Sequence, residues 1–98
     1  MMYIATARIT IHLFDSRSLK DKRQVIRSIL ARARNQFEVA AAEVGSQEMW
    51  NLAEIGLAYV SNESAHAQEV LDEAVRSIES TRPDIELTQV ITDVISVD

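Results

Sequence analysis

Tyr3-Ile4-Ala5-Thr6-Ala7-Arg8-Ile9-Thr10-Ile11-His12-Leu13 is the stretch on which the fold turns. Tyr3, Ala5, Ala7, Ile9, Ile11 and Leu13 fall on one side of an extended chain, with Thr6, Arg8, Thr10 and His12 on the other. That period of two marks a strand with one face against a core. Asp15-Ser16-Arg17-Ser18 breaks the alternation, and Ser18 followed three residues later by Asp21 is a helix N-cap with an acid in the first turn. The spacing predicts a helix over Leu19–Arg34, with Asn35 as its stop.

At about 100° per residue, Leu19, Ile26, Ile29, Leu30 and Ala33 share one side of this helix. Lys20, Arg23, Arg27 and Arg34 fall within about 60° of arc beside that apolar stripe. Lys22 lands among the apolar positions, where it is comfortable only if its ammonium reaches past the core edge.

Phe37–Val44 reads as a second strand with both faces apolar, Gly45-Ser46 as a turn, and Ile55–Val60 as a third strand in which Gly56 allows close backbone approach. Asn62 or Ser64 is expected to cap a second helix whose apolar side is Ala67, Val70, Leu71, Ala74, Val75 and Ile78. Pro83 ends it, and Ile85–Val97 supplies a last strand. The order βαββαβ, with two right-handed crossovers, implies an α+β fold of the split βαβ, ferredoxin-like kind: a four-stranded antiparallel sheet with two helices on one face. The hairpin strands are apolar on both sides, so the helix-free face requires a cover. A homo-oligomer, a dimer in the simplest case, packing through Ala40, Ala42, Val44, Ala58 and Val60 would supply one.

Ninety-eight residues make a single domain, 1–98, with one core. The absence of cysteine excludes disulfides, thiolate metal sites and a cysteine nucleophile, and fits a reducing, cytoplasmic setting. Arg8 and His12 interrupt the N-terminal stretch, so neither a secretory leader nor a membrane span is expected there. The net charge of −5 hides a segregation. Residues 1–35 hold eight of the ten basic residues against Asp15 and Asp21, while the remainder holds Arg76 and Arg82 against thirteen acids.

Signatures of catalysis are missing. Glycine occurs only at 45 and 56, which excludes dinucleotide, Walker and nucleophile-elbow loops. His12 and His66 lie on different elements without acids at ligand spacing, and read as surface histidines with no metal expected. Glu43 and Glu54 flank the hairpin turn as a carboxylate pair that is expected to be solvated. Trp50 is expected to close the open end of the core or to fill a subunit contact, ahead of stacking on a base. The constellation with a function to offer is Arg17, Lys20, Lys22, Arg23 and Arg27, cations gathered at a loop and a helix N-terminus, where a phosphate-bearing partner fits. Against it stands a plainer reading, in which these cations pair with Glu69, Asp72, Glu73 and Glu79 of the second helix across the surface.

Ser18-Leu19-Lys20-Asp21-Lys22-Arg23, Ala42-Glu43-Val44, Trp50, Ala53-Glu54-Ile55-Gly56 and Val60-Ser61-Asn62 together resemble the small bacterial proteins of the YlxP-like family, nearly end to end. Gly45 departs from the acidic or polar residue usual there. The resemblance implies a ferredoxin-like fold, no cofactor and no assigned activity. It also implies a translation-related setting, since such genes tend to lie beside those for a transcription elongation factor, a translation initiation factor and ribosome-binding factor A. The sequence thus leads to a non-enzymatic binding module for structured RNA or a ribosomal particle, acting through the basic helix. The alternative is a protein-interaction or oligomeric module acting through the helix-free sheet face.

Overall fold

The computed structural model describes residues 1–98 as β1 (Met2–Leu13), α1 (Leu19–Phe37), β2 (Ala40–Gly45), β3 (Leu52–Ser61), α2 (Ser64–Thr81) and β4 (Ile85–Val97). The strands form one sheet in the order β2-β3-β1-β4 with every neighbour antiparallel. This is the ferredoxin-like α+β arrangement expected from the element order.

The alternation in β1 is realised as read. Ala5, Ala7, Ile9, Ile11 and Leu13 are buried, and they meet Ala53, Ile55 and Leu57 of β3 beneath Ile26, Ile29, Leu30 and Ala33 of α1 and Ala67, Leu71, Ala74 and Ile78 of α2. The core is a single layer between sheet and helices. Truncating one of its large members, Ile55 for instance, removes roughly 2–5 kcal/mol.

Element boundaries differ from the sequence reading for local reasons. Ser18 caps α1 through its hydroxyl, which accepts from the Asp21 amide at 3.1 Å. The helix does not stop at Asn35. It continues to Phe37, because Glu38 adopts a left-handed conformation (φ 58°) and donates its amide to the Arg34 carbonyl at 3.0 Å, a C-terminal closure usually given to glycine. The second strand therefore begins at Ala40. At α2 neither Asn62 nor Ser64 is the N-cap. Glu63 takes that position without a side-chain bond, and its amide instead donates to Ser61 Oγ at 3.1 Å. Beyond α2, Arg82 reaches Asp84 at 2.7 Å around Pro83 and Ser28 of α1 at 3.4 Å, tying the entry of β4 to the helix layer.

The strand register fixes what the helix-free face carries. Ala42, Gly56, Arg8 and Ile91 lie in one row across β2, β3, β1 and β4; Ala40, Ala58, Thr6 and Asp93 lie in the next. Val60, Ile4 and Ile95 form a further row across β3, β1 and β4. None of the helices is long and apolar enough to cross a membrane.

Candidate functional site

The family-like motif at the start of α1 and the two hairpin strands converge at one end of the sheet. Lys22 is their meeting point. Its side chain is 1% exposed, and Nζ donates to the carbonyls of Ser46 at 2.7 Å and Leu52 at 3.0 Å while lying 2.9 Å from Glu43 Oε2. The ammonium donates to these two carbonyls, and its contact with Glu43 is an ion pair without hydrogen-bond geometry. The arrangement fastens the β2–β3 hairpin to the first turn of α1.

Lys22 therefore leaves the set of cations expected to meet a phosphate. Its position within the apolar arc of α1 carries it inward, and a buried charge survives there only because the hairpin supplies acceptors.

The same geometry separates the two hairpin carboxylates. Glu43 pairs in register with Ile55 of the core face and turns toward Lys22, whereas Glu54 sits beside Thr10 on the helix-free face and accepts from Ser46 Oγ at 2.8 Å. A Cβ at Gly45 would collide with the Glu54 carboxylate, so the absent side chain is what lets that carboxylate lie against the turn. With one carboxylate committed to an ammonium and the other to a hydroxyl on the opposite face, no acid–base couple forms. His12 packs edge-on against Phe14 and His66 against Tyr59, the one at the Leu52 end of the β1–β3 pair and the other at the Ala5 end.

Trp50 is not part of the core. It is 48% exposed in the β2–β3 connection, and what anchors the connection is its carbonyl, which accepts from the buried Ser16 hydroxyl. The hairpin is closed by backbone and small polar groups, so the indole is left at the surface.

The remaining members of the basic set stay outside. Arg17, Lys20, Arg23 and Arg27 are exposed, and none has a carboxylate within ion-pair distance. In particular, no ion pair links them to Glu69, Asp72, Glu73 or Glu79 of α2. Arg23, Arg27 and Arg34 line a shallow groove of about 210 Å³ along the β2 side of α1, together with Ile26, Leu30 and Glu43. Arg34 is steadied there by donating through Nη2 to the Ala41 carbonyl. The one acid in the groove, Glu43, is already neutralised by Lys22, so the groove presents uncompensated guanidinium charge.

A second surface lies on the opposite side of the molecule. Ala40, Ala42, Gly56 and Ala58 floor a shallow trough of about 680 Å³, walled by Val44 and Ile91, with Arg8 and Asp93 at its margin. Reading the sequence placed Ala40, Ala42, Val44, Ala58 and Val60 on this face. It missed Ile4, Ile91 and Ile95, of which Ile91 is 44% and Ile95 47% exposed.

Residues 4–92 match the family described as "Protein of unknown function (DUF503)". The chain is 37% identical over 76 residues to the uncharacterized protein YlxP of Bacillus subtilis strain 168, covering 78% of this chain and 82% of that one. Among solved structures it is similar to a mutant form of SnoaB, a cofactor-independent oxygenase from Streptomyces nogalater. The TM-score is 0.52 and the identity 11%, over 98% of this chain and 92% of the other. At that identity the likeness is one of fold.

Proposed function

Since the chain belongs to the DUF503, YlxP-like family of proteins of unknown function, we propose from its surface chemistry that it is a binding module for structured RNA, free or within a ribosomal particle, and not an enzyme. The observation that carries this reading is the row of unpaired cations on α1. Lys20, Arg23 and Arg27 recur every three or four residues on one edge of a 19-residue helix, with Arg17 just before it and Arg34 at its far end. In a chain with a net charge of −5, cations left unpaired next to one another are held at an electrostatic cost that a polyanion would relieve.

The rise of 1.5 Å per residue places Arg23 and Arg27 about 6 Å apart along the axis, close to the spacing of successive phosphates on one nucleic-acid strand. The acidic remainder of the body opposes indiscriminate contact and leaves this edge as the favoured approach. Recognition of this kind is of shape and phosphate, because the molecule offers no row of aromatic side chains for base stacking.

The test is binding of a fluorescein-labelled RNA hairpin followed by anisotropy at low salt. The double variant R23E/R27E should lose at least tenfold in affinity while keeping the wild-type far-UV spectrum, since both side chains are exposed. No affinity of the wild-type protein for the hairpin or for ribosomal subunits would dismiss the reading.

A further inference from the structure

We infer that the helix-free face of the sheet is a homodimer interface, in which a second copy of this chain packs face to face about a two-fold axis running parallel to the strands between β3 and β1. The inference rests on the self-complementarity of the face and is independent of the RNA reading.

Along the central row, side-chain size rises from the β2–β3 side of the sheet to the β1–β4 side: Ala42 and Gly56, then Arg8 and Ile91. A two-fold parallel to the strands exchanges β2 with β4 and β3 with β1 while preserving position along the strand. It sets Ile91 of each copy over Ala42 of the other, and Arg8 over Gly56. Large therefore meets small at every point of the row, and the trough floored by Ala40, Ala42, Gly56 and Ala58 receives the β4 ridge of the second copy. In the next row Asp93 falls over Ala40 and Thr6 over Ala58, and beyond it the exposed Val60 and Ile95 and the half-buried Ile4 bring apolar side chains together over the axis and its flank.

Charge supports the same occupant. Arg8 is the only Lys or Arg in any of the four strands, and it has no ion-pair partner within its own chain. Over Gly56 of the second copy it comes beside Glu54, two residues along β3 on the same face, so one otherwise unpaired cation per copy meets one carboxylate. Area is sufficient as well. Four strands about 4.8 Å apart and about eight residues long give a flat footprint near 500 Å² per copy, or about 1,000 Å² for the pair, the level at which specific interfaces begin.

The absence of native cysteine makes the register directly testable. Wild-type protein should sediment as a dimer of 11.0 kDa chains at tens of micromolar. Mixing A42C with I91C and adding a short bis-maleimide, matched to the sheet separation of about 10 Å, should give a covalent 42–91 dimer, while A42C alone should not cross-link. A42R, placing a long cation where Ile91 must seat, should sediment as a monomer with an unchanged far-UV spectrum. A monomeric wild type, or an A42R protein that is folded and still dimeric, overturns the interface. A 42–42 cross-link in place of 42–91 overturns the axis.

Discussion

Lys22 Nζ and Glu43 Oε2 lie 2.9 Å apart, the lysine side chain 1% exposed and the glutamate 19%. The pair joins the first turn of α1 to β2 across the end of the core. Because Nζ also serves the Ser46 and Leu52 carbonyls, removing the ammonium leaves two carbonyls without a donor and the Glu43 carboxylate without its counter-ion. Lys22→Met should cost about 3–5 kcal/mol in urea unfolding, the range for leaving one member of a buried pair uncompensated. Lys22→Met with Glu43→Leu should recover part of that loss, though not all of it, because the two carbonyls remain without a donor. A single variant within about 1 kcal/mol of wild type would show that water replaces the ammonium without penalty.

Lys22 also marks how far the sequence could be read. Its anomaly was visible, a cation inside the apolar arc of a helix, yet its acceptors were not, because backbone carbonyls 24 and 30 residues away leave no trace in side-chain pattern. The periodic elements were legible for the opposite reason: the alternation of β1 and the Ser18 cap are local. The end of α1 was misread because a non-glycine residue, Glu38, takes the left-handed position. On the free face, Ile91 and Ile95 escaped notice because the register of β4 shifts at Thr10/Ile11, and a one-residue shift in register reassigns every later side chain to the other face.

The pair at the α2–β4 turn predicts an acid limb. The Asp84 carboxyl is held below its usual range, chiefly by the hydrogen bond from Arg82, and the Arg82 guanidinium is correspondingly raised. A carboxylate whose folded pKa is lowered stabilises the fold above its unfolded pKa near 4 and loses that contribution as pH falls through the folded value. Both side chains are about 30% exposed, so the effect is small, under about 1 kcal/mol at neutral pH. Asp84→Asn should be less stable than wild type at pH 7, and the two unfolding curves should converge as pH falls below the ordinary carboxylate range and the Asp84 carboxyl becomes protonated in the folded state. A difference that persists at low pH would assign the loss to packing at the turn.

Trp50, at 48% exposure, should behave as a surface indole in the isolated chain. Trp50→Ala should cost no more than about half of the 3–5 kcal/mol typical of a core tryptophan. As the only tryptophan, it reports its own environment. Acrylamide should quench native emission nearly as well as emission from urea-unfolded protein. A strongly protected indole would place the β2–β3 connection under a partner, and the comparison should then be repeated at concentrations low enough to dissociate any dimer.

Salt separates a defined phosphate-binding edge from net charge alone. Each phosphate contact contributes about −0.7 to −0.9 to the slope of log affinity against log salt, so binding through Arg17, Lys20, Arg23 and Arg27 should show a slope of about −2.8 to −3.6. Neutralising one member, Arg23→Gln, should reduce the slope by about one contact. Arg32 is the necessary comparison. It lies on another side of the same helix, where its Nε donates to Gln36 at 3.3 Å, and it does not line the groove formed by Arg23, Arg27 and Arg34. Arg32→Gln removes the same unit of charge and should leave the slope nearly unchanged, with affinity within about twofold of wild type. Equal losses for the two substitutions would mean that the RNA senses only the field of the whole molecule, and the α1 edge would cease to be a site.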